Sequence, residues 1–500
     1  MSAFIGIDLG TTFSSVATID ETGRPQIIPN DKGENLTPSC VVEEKGDKGT
    51  MRIGEFARRQ WCNAPETAAA RFKRDMGTSK KHTINGKEYT PTQLSAFVLK
   101  KLVQDAEKEL GSIGEAVVTV PANFANEARE ATMAAAKEAG LNVSYIINEP
   151  TAAALYYAFK SGEELGGVYA VYDLGGGTFD VSIIEINGHD VDVLASQGVV
   201  KLGGLDFDEI VHKLVREKYK DQTGNELEKG DFTLNDAEEE KRHLSEQKKV
   251  SVECAREIVD IKRAEFEEAI SSLVTQTKMA CEGAVKEAGI DFSDIKGVFL
   301  AGGSTRIPLV TETVKNVFKQ EPIKTVNVDE VVSLGAVIYA AYKGDRTKLS
   351  PVQKQAIDKI EVTEQTSMYY GTIALGEDLE RSKMKEMNSI IIQKGEKIPC
   401  SKTEPYYTVG DGQEGVHCRV TEARGAETDV RFAKIIWEGE LKLPPDRPAG
   451  QEIKITFGFD VNQMMHCSFV DVATKRKTDI DISMTSSKDH ADKIDPFLVE

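Results

Sequence analysis

Two stretches of this chain echo one another. Gly6-Ile-Asp-Leu-Gly-Thr-Thr12 and Tyr172-Asp-Leu-Gly-Gly-Gly-Thr178 each leave an apolar strand through Asp-Leu-Gly and reach a threonine, 165 residues apart from Asp8 to Asp173. That interval is far too wide for a solenoid repeat. It fits a pair of related half-domains facing each other across a cleft. Glycine permits positive φ and has no Cβ, so backbone N–H groups in such a turn can close on a ligand. Successive N–H groups form an anion nest suited to phosphate oxygens. Thr11, Thr12 and Thr178 can add hydroxyl donors, whereas an aspartate beside a phosphate repels it unless a cation lies between. Mg²⁺ suits that place, because it takes few carboxylates, keeps several waters and bridges to phosphates. Asp8, Asp173 and Asp180 are therefore candidate holders of Mg²⁺, largely through water. One such turn alone is an ordinary tight turn; the second copy in the same strand context favours the phosphate reading. No GxxxxGK[ST] is present, so this is not a P-loop.

Composition limits the partners. The net charge of −19 is unsuited to general binding of nucleic acid or anionic membrane, so an anionic ligand needs a local site. No apolar run reaches membrane-spanning length. The start, MSAFIGIDLG, lacks a basic leader and is interrupted by Asp8. The seven cysteines are scattered without a CxxC, as in reduced cytosolic proteins, so the cytoplasm is the expected compartment.

The chain has two textures. In residues 1–345, strands such as Phe4–Leu9, Ala116–Pro121, Val168–Leu174 and Val298–Ala301 alternate with helices such as Leu94–Leu110, Asn126–Ala139 and Val331–Tyr342. This alternation predicts α/β layers around buried sheets. Residues 346–362 are polar and lysine-rich and read as an interdomain linker. From 363 to 486, short strands such as Ser389–Gln393, Gly415–Glu422, Glu452–Asp460 and His466–Val470 are separated by turn residues, predicting an all-β module. Residues 487–500 read as a C-terminal tail.

Two further signals lie in the first part. Leu300-Ala-Gly-Gly-Ser-Thr-Arg-Ile-Pro308 follows an apolar strand; Gly302 and Gly303 could admit a flat base, with Arg306 stacking on it. In Asn235–Ser245, Glu238, Lys241, Arg242 and Ser245 share a helical face, and Asp236 with Glu239 resembles a capping box. That face is either solvated or turned to a ligand.

Together these stretches resemble the DnaK-type seventy-kilodalton heat-shock chaperone family. IGIDLGTTFSSVA, FKRDMG, VVTVPANFANEARE, INEPTAAAL, VYDLGGGTFDVSI, LGGLDFD, EEEKRHLS and FLAGGSTRIP occur in family order. The resemblance implies an α/β, actin-like, two-lobed ATPase domain with duplicated halves, holding ATP or ADP and Mg²⁺, followed by an all-β sandwich that binds peptides. It implies a catalytic role for Lys73, with Glu149 and Asp173 around the metal and water and Thr178 sensing the γ-phosphate. Thr11, Thr12, Gly175, Gly176 and Gly177 resemble the phosphate loops, and Gly10, Phe13, Gly203 and Gly204 are further cofactor-binding candidates that the resemblance implies. Glu238, Lys241, Arg242, Ser245, Gly302, Gly303, Ser304, Arg306 and Asp329 resemble the adenosine pocket. Pro121 and Arg129 match the pair that relays nucleotide state between domains.

In the second part, Ile453–Val470 resembles the family's sandwich. Tyr406 and Val416 are candidates for its peptide cleft, where an extended apolar segment would lie; an ordinary sandwich core accounts for the same two residues. The implied function is an ATP-dependent chaperone for unfolded or extended polypeptides, with a nucleotide exchange factor and a J-domain cochaperone as family partners. Three departures bear on this. The linker LSPVQKQAIDKIEV lacks the family's leucine cluster; Ser144 and Tyr145 stand where a basic residue usually precedes IINEP; and the family's helical lid is missing after the sandwich, either by nature or by truncation of the sequence. The first two weigh against a conventional J-domain partner, and the third predicts fast peptide exchange. The alternative is a specialised family member whose nucleotide state controls docking to one partner without general peptide capture.

Overall fold

The computed structural model describes residues 3–44, 49–161, 165–187, 190–228, 230–323, 326–357, 361–378, 383–460, 463–482 and 498–500. Two compact units emerge: residues 1–362 with 489–500, and residues 363–488.

The first unit carries two sheets of the same design. In one, Ala3–Asp8 lies between a parallel neighbour, Ile113–Val120, and an antiparallel one, Phe13–Ile19; Val143–Asn148 and Pro25–Ile28 extend the two sides. In the other, Gly166–Leu174 lies between parallel Ile295–Ala301 and antiparallel Phe179–Asn187, with Asp190–Val199 beyond. The repeated Asp-Leu-Gly thus marks the same turn in each half. Ile5, Ile7, Val117, Val118, Ala170 and Val171 are essentially unexposed, which is why their strands read as continuous apolar runs.

Helices Glu149–Ser161 and Val331–Lys343 pack on each other in the core between the halves. Their contact uses small residues, Ala152 against Gly335, and a Cβ on Gly335 would overlap the Ala152 carbonyl. Close backbone approach of this kind fixes how the halves meet.

Residues 346–357, the first part of the segment read as an interdomain linker, fold onto this unit. Leu349 and Ile357 are buried in its central core, Lys348 pairs with Glu115 at 3.0 Å, and Gln353 Nε2 donates to the Asp20 carbonyl at 3.0 Å. Pro351–Ile357 is a short helix whose start is bracketed by Ser350 and Gln353. The lysines masked two apolar anchors. Leu498–Val499, read as part of a tail, adds a parallel strand to Thr50–Ile53.

The second unit is an antiparallel β structure. One sheet orders Lys383–Ile392, Tyr369–Asp378, Gly415–Ala423 and Lys434–Lys442; the other orders Cys400–Tyr407, Glu452–Phe459, Met465–Asp471 and Lys477–Ile482. Alternate residues Ile453, Ile455, Phe457 and Phe459 face inward. Tyr370 on one sheet meets Phe459 on the other with ring centroids 5.0 Å apart. This is sandwich packing. No helix among the described residues is long and apolar enough to cross a membrane, and all seven cysteines are free.

Candidate functional site

A cavity of about 610 Å³ opens in the first unit, and both Asp-Leu-Gly turns line it. Asp8, Gly10, Thr11, Thr12 and Phe13 come from one half; Asp173, Gly175, Gly176, Gly177 and Thr178 come from the other. A Cβ on Gly176 would overlap Thr12 Oγ1, and one on Gly177 would overlap the Thr11 side chain. The turns are held from behind. The Gly175 carbonyl accepts from Gly204 N–H at 3.0 Å and Ser304 Oγ at 2.9 Å, and the Gly176 carbonyl accepts from Leu205 N–H at 2.9 Å. Gly203 backs the second turn rather than lining the cavity, and a Cβ there would lie 2.6 Å from the Gly176 carbonyl carbon. Thr12 Oγ1 is buried with no hydrogen-bond partner among the described residues. A buried hydroxyl in a cavity wall without a protein partner suits a ligand oxygen.

Acidic groups gather on one side around a single ammonium. Lys73, in the turn Phe72–Asp75, is 4% exposed, and its Nζ lies 2.5 Å from Glu149 Oε1 and 5.9 Å from the Phe124 ring centroid. Burial disfavours that charge, but the carboxylates of Glu149 and Asp8 more than offset it, so its pKa is raised. Burial, reinforced by Glu149, pushes Asp8 up to about 7, although Thr119 Oγ1 donates to it at 3.1 Å. Asp173 is driven well above the usual carboxylate range, first by burial and then by Glu149, Asp180 and Asp8. Asp180 is pushed to about 7 by burial and Glu149; it lies behind the cavity wall, held by Asn123 Nδ2 at 2.7 Å.

Four carboxyl groups around one lysine are short of positive charge, a deficit that a divalent cation would fill. Among the described residues no three acidic, histidine or cysteine side chains converge to ligate a metal directly. The donor set therefore fits Mg²⁺ held through its own waters and phosphate oxygens.

The opposite side of the cavity is built on helix Leu234–Glu246. Its cap is Thr233, not Asp236: Thr233 Oγ1 accepts from Asp236 N–H at 3.3 Å, and Asp236 Oδ2 accepts from Thr233 N–H at 2.7 Å. The box is displaced by one turn from the Asp236–Glu239 pairing, because the threonine hydroxyl supplies the capping oxygen. Glu238, Lys241, Arg242 and Ser245 all line the cavity, and Glu238 and Lys241 are buried, so this face is not merely solvated. Lys241 Nζ lies 2.5 Å from Asp208 Oδ1 and donates to the Gly204 carbonyl at 3.1 Å. Glu238 accepts from Arg242 at 2.5 Å and from Arg58 at 2.7 Å, and both guanidinium groups lie over the Phe13 ring.

The third glycine turn closes this end. Gly302 has φ +81°, a conformation that side chains rarely adopt, and a Cβ there would overlap the Leu174 carbonyl. Gly303 and Ser304 line the cavity beside it. Arg306 Nη2 donates to Asp329 at 2.7 Å and Asn327 at 2.9 Å, leaving its flat guanidinium partly exposed at the mouth. Sequence reasoning did not single out Arg58, Asp208 or the apolar lining of Leu36, Leu205, Ile307, Val328 and Val332. Asp208 lies within LGGLDFD, so its motif carried a signal; Arg58 had none.

Pro121 and Arg129 lie away from the cavity. Pro121 follows the strand Ile113–Val120, and its carbonyl accepts from Phe124 N–H at 3.1 Å. Arg129 is buried and donates to the carbonyls of Phe124 and Ala122, both at 3.1 Å, and to Asn148 Oδ1 at 2.8 Å. Asn148 directly precedes Glu149, so Arg129 connects the Pro121 turn to the acidic cluster.

In the second unit, Tyr406 and Val416 lie on strands of different sheets. Tyr406 Oη is 2.9 Å from Ser389 Oγ, and Val416 is paired with Leu441. Neither lines the depression that Pro399, Cys400, Phe459, His466 and Asp479 help to form.

The family model described as Hsp70 protein matches residues 4–500. With the match running through both units, the chain belongs to the Hsp70 family.

Proposed function

We propose that this chain binds ATP in the cavity of the first unit, hydrolyses it to ADP and phosphate, and couples that cycle to fast, weak capture of extended apolar polypeptide segments. Hsp70 family members are ATPases with ATP-dependent chaperone function. The observation that carries the reading is the meeting of both Asp-Leu-Gly turns, Lys73 and the Glu238–Arg306 side in one 610 Å³ cavity. Gly10, Thr11, Thr12, Gly175, Gly176, Gly177 and Thr178 would receive the phosphates, and Phe13, Glu238, Lys241, Arg242, Ser245, Gly302, Gly303, Ser304, Arg306 and Asp329 the adenosine. Gly203 and Gly204 support the second phosphate turn from behind.

Phosphoryl transfer is mostly positioning and electrostatic stabilisation. Lys73, fixed by Glu149, offsets charge developing at the γ-phosphate and orients the attacking water. Thr178 contacts the γ-phosphate, and Asp173 with Glu149 polarises the water. Asp8 and Asp173 would hold Mg²⁺, largely through its waters, with Asp180 adding negative charge from behind the cavity wall; the ion would supply charge neutralisation between carboxylates and phosphates. Pro121 and Arg129 would report nucleotide state outward from Glu149. Lys73→Ala tests the assignment: hydrolysis should fall by about a thousandfold or more while ATP binding persists. Unchanged turnover would refute it.

The peptide site is assigned to the loops near Tyr406 and Val416, and an exchange factor is an expected partner. A second reading, nucleotide-controlled docking to one partner, is favoured by the linker helix Pro351–Ile357 anchored through Leu349 and Ile357 and by Tyr145 in place of a basic residue; both also weigh against J-domain engagement. Arrays of apolar heptamers separate the two readings. Binding to many supports the chaperone, and binding to none supports the dedicated partner.

A further inference from the structure

Thr50–Ile53 has Cys40–Glu44 on one side and Ala68–Ala70 beyond that strand, so its other side is a sheet edge. An open edge offers unpaired N–H and C=O groups and is a template for another strand. Here Leu498–Val499 fills it in parallel, with Leu498 opposite Thr50 and Val499 opposite Met51. Glu500 N–H donates to the Met51 carbonyl at 2.8 Å, and Ile53 N–H donates to the Glu500 carbonyl at 3.0 Å. The side chains sort by the pleat. Val499 is 4% exposed and joins the core cluster containing Val41, Met51 and Ile53, whereas Leu498 is exposed and Glu500 reaches Arg52 at 3.5 Å.

We propose that this edge is a β-addition site for an extended peptide segment, and that its occupant is the chain's own Leu498–Glu500. Recognition combines main-chain bonds, one inward position suited to a β-branched valine, and Arg52 placed for an acidic residue that follows it. The consequences are structural. Thr50–Ile53 runs through Gly54 into helix Glu55–Asn63, which carries Arg58, so the added strand braces the element that pairs with Glu238.

Hydrogen exchange on the full chain tests this, with the Ile53 amide as reporter. Val499→Asp should speed its exchange by about tenfold or more and leave Val118 in the neighbouring sheet unchanged. An amidated peptide of residues 492–500, added to the variant, should restore protection; the same peptide carrying aspartate at 499 should not. Restoration by peptide also shows that the variant is folded. Unaltered Ile53 exchange in the variant, or no restoration by the matching peptide, would overturn the proposal. Ile53 protection in the unsubstituted protein that disappears on dilution would place the segment in a second copy and overturn the intramolecular assignment.

Discussion

Replacing Asp180 by asparagine in the ligand-free protein should stabilise it at pH 8 and do little at pH 5. Asp180 is 2% exposed, and burial with Glu149 nearby raises its pKa from 3.8 to about 7. A carboxyl raised in this way holds its proton in the folded chain after the unfolded chain has lost it. Between about pH 4 and pH 7 the folded state therefore binds more protons, and stability falls as pH rises. The decline is about 1.4 kcal/mol per pH unit, so relative to low pH the titration of Asp180 costs the fold about 4 kcal/mol by pH 8, where it is ionised, and roughly 1 to 2 kcal/mol at pH 5, where the folded carboxyl still keeps its proton. Asparagine keeps the shape and an oxygen for the Asn123 donors, losing about 1 kcal/mol of charge assistance. The net gain is about 3 kcal/mol at pH 8 and close to zero at pH 5. Scanning calorimetry of the two proteins without nucleotide or Mg²⁺ reads this as a rise of roughly 3–6 °C at pH 8. Adding Mg²⁺ and ATP should then raise the unsubstituted protein's transition more than the variant's. A difference in Tm that is the same at pH 5 and pH 8, or a variant less stable at pH 8, would refute the reasoning.

Other outcomes follow from the same geometry. Arg58→Ala removes one of two partners from buried Glu238 and leaves Arg242; a loss of about 1–2 kcal/mol should speed release of fluorescent ADP roughly 5- to 30-fold, and an unchanged rate would separate that pair from nucleotide retention. Gly302→Val imposes a β-branched side chain at φ +81° against the Leu174 carbonyl; it should abolish measurable nucleotide binding or destabilise the first unit by at least about 2 kcal/mol, as read by calorimetry. Arg129→Ala frees the Pro121 turn from Asn148; basal hydrolysis should persist while stimulation by an apolar peptide is lost, and retained stimulation would contradict the relay assigned to this residue.

The duplication was readable because its chemistry is local: each copy needs an apolar strand, an aspartate and glycines in sequence, and the two sheets reproduce that order. The face of Glu238, Lys241, Arg242 and Ser245 was legible from helical spacing, but its burial was not, since spacing is indifferent to whether a neighbour covers it. Arg58 was invisible because its partner Glu238 is 180 residues away and nothing near Arg58 distinguishes it from its neighbour Arg59. Asp180 was read as a candidate holder of Mg²⁺ through water; its strand places it behind the cavity wall, where Asn123 holds it. That the segment 346–357 packs on the first unit was not legible from composition, because Leu349 and Ile357 anchor a stretch whose average is polar. Leu498–Val499 gave no signal at all: two residues cannot show period-two alternation, and their partner edge lies more than 400 positions upstream.

The central claim is that an acidic cavity holds ATP only with a divalent cation beside Lys73. Isothermal titration of ATP into the protein, with Mg²⁺ and then with excess chelator, tests it most directly. The account predicts saturable one-to-one binding with Mg²⁺ and affinity lower by at least about tenfold without it. Equal affinity under both conditions, or no binding with Mg²⁺ present, would contradict it.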